Sequence, residues 1–348
     1  MSMTLDKKLA IIPRASVTSF KGRVKRSIAD KHIMVVKKAV GKREIQRILD
    51  TDARRMVKSG NTLRSFLETN KVARYNGSVG EFAGMLKGRK TLDFLMVTYM
   101  GKMYNNLKSD FKNPDLSNLV FVNRVNAFAR KLHELTGKKV QVTIATENGL
   151  FDRDVLRIKR PLYRKQLAQL QKLMDDFGIE YVRLRPLDEF VGRRYQGAFR
   201  RSVSRLNKDR GALPASADFR PVFETFYSSY PSDTFREAVG NYTDSKTQER
   251  IEKWTLDALV RYMSFHAARS ETDFWGINKG YIRCSVSNRK GVLVFEYGVG
   301  RMSPLHGMAV YRKNGVFTEH FYDVVNALPE GKPLTVWIYK DMPVCIVE

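Results

Sequence analysis

Apolar positions along the chain fall into runs whose periods identify elements before any residue chemistry is considered. From Ile45 to Phe66 they recur near helical spacing at Ile45, Ile48, Leu49, Met56, Leu63 and Phe66, with Thr51 and Gly60 interrupting. Near Thr91 the texture changes. Leu92, Phe94 to Val97 and Tyr99 form a short apolar run between Arg89-Lys90 and Gly101, the pattern of a buried strand. Asn113-Pro114-Asp115 announces a helix with the stripe Leu119, Val122, Val125, Phe128, Leu132 and Leu135, closed by Gly137. Val140, Val142 and Ile144 then alternate with polar residues as a strand. Pro161 opens a second helix striped by Leu162, Leu167, Leu170, Leu173, Met174 and Phe177, and Ile179 to Leu184 forms the next strand. Strand, helix, strand, helix, strand predicts a parallel α/β sheet with right-handed crossovers.

The remaining segments complete the expected architecture. Residues 1–90 read as a basic, mostly helical N-terminal region, and residues 91–348 as an α/β domain with a helical insertion at about 193–265. From Ile282 the pattern is β again: Ile282, Cys284 and Val286, then Val292 to Phe295, then Met308 to Tyr311. Asn314-Gly315 is the strongest hairpin signal in the chain, and Leu334 to Tyr339 with Val344 to Val347 predicts a terminal hairpin. The expected fold class is α/β, a Rossmann-like, mostly parallel sheet flanked by helices, with a β-rich C-terminal part.

Composition narrows the function. The 348 residues are 43% hydrophobic, enough to bury a sizeable core. Two cysteines, Cys284 and Cys345, exclude a disulfide framework and suit a reducing, cytoplasmic setting. No apolar run reaches membrane-spanning length, and Leu9 to Pro13 is too short for the core of a secretory signal. The five histidines show no ligand-like clustering, so no metal site is expected. With no third glycine, Gly298-Val299-Gly300 is expected to be a turn rather than a phosphate loop.

Charge is the loudest global signal: 62 Lys+Arg against 36 Asp+Glu give a formal +26. Such an excess attracts anions, whether nucleic acid, acidic lipid or phosphorylated metabolites. The density is high between Lys21 and Lys58, but aromatics are sparse there and no helix-turn-helix, zinc-finger or RNA-recognition signature accompanies it.

Ligands of parallel α/β sheets sit beyond the carboxyl ends of the strands, which directs attention to residues 101–108 and 146–154. In the first, Lys102 and Lys108 stand six apart, a spacing suited to a phosphate or carboxylate. In the second, Glu147, Asp152 and Asp154 offer carboxylates for acid/base work around the Asn148-Gly149 turn. Ser303-Pro304-Leu305-His306-Gly307 presents an imidazole at a loop-to-strand junction.

Taken in order, these segments resemble the isonitrile (isocyanide) synthases of the pyoverdine/dityrosine biosynthesis family. Tyr99, Lys102, Asn105 and Lys108 match the spacing of that family's Phe-x-x-Lys-x-x-Asn loop and second lysine. Glu147-Asn148-Gly149 with Phe151 and Asp152 or Asp154 is similar to its Asp-Gly turn, Arg283-Cys284-Ser285-Val286-Ser287 to its Arg-x-Ser-Ile-His strand, and Ser303 to Gly307 to its Thr-Pro-Trp-His-Gly segment. The chain departs from the pattern at Glu147, Ser287 and Leu305, and the basic first 90 residues have no counterpart in it.

The resemblance implies condensation of an amino-acid amine with the ketone of ribulose 5-phosphate, the sugar donating the isonitrile carbon. It implies Lys102, Glu147, Asp152 and His306 as catalytic residues and Asn105, Lys108, Asp154, Arg283 and Ser285 as substrate-binding residues, with no metal or organic cofactor. Implied partners are an amino acid and a sugar phosphate, not a membrane. The competing expectation is a nucleic-acid-associated protein, binding through the basic N-terminal region, or a structural protein, on an inactive synthase-like scaffold.

Overall fold

The computed structural model describes residues 35–58, 60–98, 100, 114–146, 160–215, 245–286, 290–299, 307–313, 315–319, 324, 327–329 and 331–347. The chain divides into two compact units, one of residues 1–31, 149–160 and 190–277, the other of residues 32–148, 161–189 and 278–348.

In the larger unit, β1 (Val35–Ala39), α1 (Lys42–Met56), α2 (Leu63–Thr69), β2 (Ala73–Tyr75) and α3 (Val79–Leu86) precede β3 (Thr91–Val97). Then come α4 (Leu116–Thr136), β4 (Lys139–Thr146), α5 (Arg160–Asp176) and β5 (Val182–Pro186). Its C-terminal part supplies β6 (Ile282–Ser285), β7 (Leu293–Phe295), β8 (Met308–Arg312), β9 (Gly315–Glu319), β10 (Leu334–Tyr339) and β11 (Met342–Val347).

The strands form two sheets. The first has six strands in the order β2-β7-β6-β3-β4-β5, all parallel except β2, which runs antiparallel to β7. The second orders β1-β10-β11-β8-β9. The α/β expectation and the parallel sheet agree with this architecture. The antiparallel pairs β8/β9 and β10/β11 are the two expected hairpins.

The described part of the N-terminal 90 residues is tied to the C-terminal part by strand pairing. Residues 35–90 carry two strands besides three helices, and both strands pair with the far end of the chain: β1 with β10, β2 with β7. Residues 32–148 fall within the larger compact unit. Val35-Val36-Lys37-Lys38-Ala39 has no alternation, and its strand geometry comes from a partner some 300 residues away.

Alternation assigns the faces. Leu92, Phe94 and Met96 of β3, Val140, Val142 and Ile144 of β4, and Ile282 and Cys284 of β6 join the main core with α4 and α5. In the second sheet Ala309, Val316, Trp337 and Cys345 belong to that core, while Met308, Val310, Leu334, Val336 and Ile346 form a smaller cluster on the opposite face. Helix α4 ends as its sequence predicts, with Gly137 in the left-handed region at φ 65°.

The smaller unit is helical among its described residues: α6 (Tyr195–Lys208), α7 (Ser245–Glu271) and α8 (Phe274–Ile277). Helix α6 buries Tyr195, Ala198, Phe199, Ser202 and Leu206. Arg201 pairs with Glu271 of α7 at 2.5 Å.

Candidate functional site

Strand order locates the switch point of the first sheet. Helices α4 and α5 carry the chain from β3 to β4 and from β4 to β5, outward in one direction, and the chain then returns to lay β6 on the other side of β3. The order reverses between β3 and β6. Such a switch point opens a crevice at the carboxyl ends of the two strands, where connections leave on opposite sides.

Arg283 and Ser285, two of the expected binding residues, lie at that point. They alternate with the buried Ile282 and Cys284, so both project from the face of β6 opposite the main core, and both are half-buried. Arg283 stands in register with Leu95 of β3. The expected residues Lys102, Asn105, Lys108, Glu147, Asp152, Asp154 and His306 lie outside the described residues. The described strands fix where the chain enters those segments: β3 ends at Val97 and β4 at Thr146, in register as parallel neighbours, so both strands deliver the chain to the same sheet edge.

The start of α4 anchors three stretches of chain at that edge. Asp115 caps the helix, its Oδ1 accepting from the Ser117 backbone N–H at 2.9 Å and the Ser117 hydroxyl at 2.6 Å. Its Oδ2 accepts from the Ala309 backbone N–H at 2.8 Å. Asn118 completes a capping box by accepting from the Asp115 N–H at 3.3 Å, and its amide donates to the Met100 carbonyl at 3.1 Å. Two turns on, the Arg124 guanidinium donates to the Gly298 carbonyl at 3.0 Å. Met100 immediately precedes the segment containing Lys102. Gly298 and Ala309 flank the one containing His306.

Arg124 is held in turn by Asp52 of α1. Its Nε lies 2.6 Å from Oδ2 and its Nη2 2.9 Å from Oδ1, a bidentate pair with side chains 3% and 6% exposed. Arg55 adds a bond to Asp52 Oδ1 at 2.8 Å. One buried guanidinium thereby satisfies both the Asp52 carboxylate and the Gly298 carbonyl.

Aromatic packing completes the described edge. Tyr297, two residues past β7, meets Phe121 of α4 edge-on at 4.7 Å. Burial raises its hydroxyl pKa well above the ordinary value, and a side-chain hydrogen bond with Thr98, next after β3, pulls the other way. Burial likewise raises the Cys284 thiol, which fits a packing residue rather than a nucleophile.

Gly307 has a steric role. A Cβ there would sit 2.6 Å from the Glu319 carbonyl oxygen and 2.8 Å from the Thr318 methyl, so only glycine lets β8 begin this close to β9. The two described histidines that could be confused with site residues have structural partners: His133 Nδ1 lies 2.7 Å from the Lys138 carbonyl, and His266 Nδ1 lies 2.8 Å from the Arg269 guanidinium. Among the described residues no group of three His, Cys, Asp or Glu is disposed to hold a metal ion, and no helix is long and apolar enough to cross a membrane.

Sequence reasoning missed Asn118, Arg124, Thr98 and Tyr297. Asp115 and Asn118 carried a visible signal in the Asp-x-x-Asn capping spacing, whereas Arg124 sits one position from an apolar stripe residue and its partner is 72 residues away.

Against solved structures, the chain superposes on the crystal structure of the PvcA protein from Pseudomonas aeruginosa with a TM-score of 0.59. The match covers 94% of this chain and 99% of that one at 13% identity. The two proteins share a fold. The likeness extends over nearly the whole of both chains. A CDPS from Fluoribacter dumoffii matches over 57% of this chain and 78% of that one, at 13% identity and a TM-score of 0.26. No protein-family model and no curated protein sequence matches.

Proposed function

We propose that the protein is an isonitrile synthase-like enzyme that condenses an amino-acid amine with the ketone of ribulose 5-phosphate and converts the amine to an isonitrile. The observation that carries this reading is the likeness in fold to PvcA over 94% of the chain. The ordered series of matching motifs, threaded through the parallel sheet in the sequence β3, β4, β6, adds to it.

In this reading Lys102 and Lys108 clamp the phosphate or an anionic intermediate, and Arg283 offers its planar fork to a substrate carboxylate or phosphate. His306 shuttles protons during imine formation and elimination. Glu147 or Asp152 is the acid/base carboxylate, and Asn105, Asp154 and Ser285 bind substrate polar groups. The Asp115, Asn118 and Arg124 bonds are positioning contacts, since they tie down the backbone on either side of the reacting segments.

Mass spectrometry of the purified protein incubated with tyrosine or tryptophan and ribulose 5-phosphate tests the reading. A product in which the amino group has become an isonitrile is expected. Unchanged substrates with every amino acid tried would overturn it.

A further inference from the structure

Among the described residues of the smaller unit, six cations share one helix face. Residues 193–210, Arg-Arg-Tyr-Gln-Gly-Ala-Phe-Arg-Arg-Ser-Val-Ser-Arg-Leu-Asn-Lys-Asp-Arg, place two Arg-Arg pairs seven residues apart, followed by Arg205 and Lys208. Seven residues are close to two helical turns, so the pairs recur on the same side. The structure bears this out: Tyr195, Ala198, Phe199, Ser202 and Leu206 face inward, while Arg193, Arg194, Arg200, Arg201, Arg205 and Lys208 are exposed.

Neutralisation is scarce on this face. Arg201 pairs with Glu271. Among the described residues the other five make no ion pair, whereas Arg47 and Arg64 of α1 and α2 are paired with Glu44 and Glu68. The positions between the cations are Gln196, Gly197, Ser204 and Asn207, all exposed and neither acidic nor apolar. A helix that lies in a membrane interface presents an apolar face to lipid. Here the apolar face is consumed inside the unit, which argues against a lipid surface.

We propose that the outer face of α6 binds the phosphodiester backbone of a nucleic acid. From Arg194 to Lys208 the stripe runs roughly 21 Å at helical rise, long enough to meet several successive phosphates. Five of its six cations are arginines, whose fork pairs two phosphate oxygens at once. Hydroxyl and amide side chains among them add neutral donors of the kind that contact phosphates. No aromatic side chain is exposed on the stripe, so the contact reads charge and not base sequence. This surface is distinct from the basic N-terminal stretch and independent of the proposed synthase reaction.

The experiment uses the full chain and fluorescence anisotropy with labelled 20-nucleotide RNA and single-stranded DNA of the same sequence, over a salt series. Binding that weakens steeply with salt is expected, with about 0.7 log units of slope for each phosphate neutralised. Replacing Arg193, Arg194, Arg200 and Arg205 with Gln is expected to weaken binding about tenfold or more at low salt and to reduce the slope by about 3. A control variant removes the same charge elsewhere, at Lys38, Arg43, Arg54 and Lys58, and retains most of the affinity. The two probes tell RNA from DNA, and binding of either supports the proposal. No binding of either probe at low salt, equal losses in the two variants, or tighter binding to phosphatidylserine vesicles than to either nucleic acid would overturn it. All eight positions are exposed, and circular dichroism melting verifies that both variants fold.

Discussion

The Asp115 carboxylate accepts a hydrogen bond from the Ala309 backbone N–H at 2.8 Å, although 194 residues separate them. One carboxylate thereby caps α4 and fixes the start of β8, joining the connection that leaves the first sheet to the strand that enters the second.

Asp115→Ala removes both jobs at once. Losing an N-cap costs about 1 kcal/mol, and leaving the Ala309 N–H buried and unpaired costs about 1–3 kcal/mol more. Urea unfolding is expected to show a loss of about 2–4 kcal/mol, the sum of those two costs, with Asp115→Asn losing less because its amide oxygen still accepts. An alanine variant as stable as the parent would mean that neither bond matters.

The Asp52–Arg124 pair is predicted to be strongly coupled. Removing one partner strands a buried charge, so Asp52→Ala or Arg124→Ala is expected to cost about 3–5 kcal/mol. The double variant should cost clearly less than the sum. Additive losses in a denaturant double-mutant cycle would contradict the coupling.

Gly307→Ala is predicted to destabilise by about 1–3 kcal/mol through overpacking, because the new methyl meets the Glu319 backbone, which cannot rotate away. Glycine at the neighbouring hairpin position Gly315, φ 123°, is required for a different reason, its backbone conformation. Thermal melting of the two alanine variants, each compared with the parent, tests both.

For the proposed reaction, Lys102→Ala and His306→Ala are each expected to lower turnover by about 100-fold or more, the scale of general acid–base catalysis. Their melting temperatures should stay near that of the parent. Full activity in the double variant would remove both residues from the chemistry.

Alkaline stability has a definite sign. The Cys284 and Cys345 thiols lie above their ordinary value of 9.0 and the Tyr297 phenol above 10.0, chiefly through burial. Each group holds its proton more tightly folded than unfolded, so its contribution is complete below the unfolded pKa and is lost as pH rises beyond it. The contribution of these groups to the urea midpoint is expected to be flat between neutral pH and about pH 8 and to fall from about pH 9 upward, the unfolded thiol range. Tyr297→Phe should lose about 1 kcal/mol at neutral pH for its hydrogen bond and fall less steeply above pH 10. A slope unchanged in that variant would show the phenol titrating normally. Neither thiol should react with a disulfide reagent at pH 8 until the protein unfolds.

Much of this architecture is written in local pattern. The stripe from Leu119 to Leu132, the alternation of Val140, Val142 and Ile144, the closing Gly137 and the Asn314-Gly315 hairpin each carry their own geometry, because side-chain period and backbone freedom are properties of a few adjacent residues. The residue types of the candidate site, lysines after one strand, carboxylates after the next and Arg283 on a third, are legible for the same reason. What tertiary structure alone decided are relations between distant segments. Val35 to Ala39 becomes a strand only because β10 pairs with it. Asp52, on the buried side of α1, is tolerable only because Arg124 meets it. The reversal of strand order between β3 and β6 exists only because the chain turns back after β5. Each depends on which groups are brought together across the fold, where a buried charge or an unpaired backbone group must find its partner, and no local period encodes that partner's address.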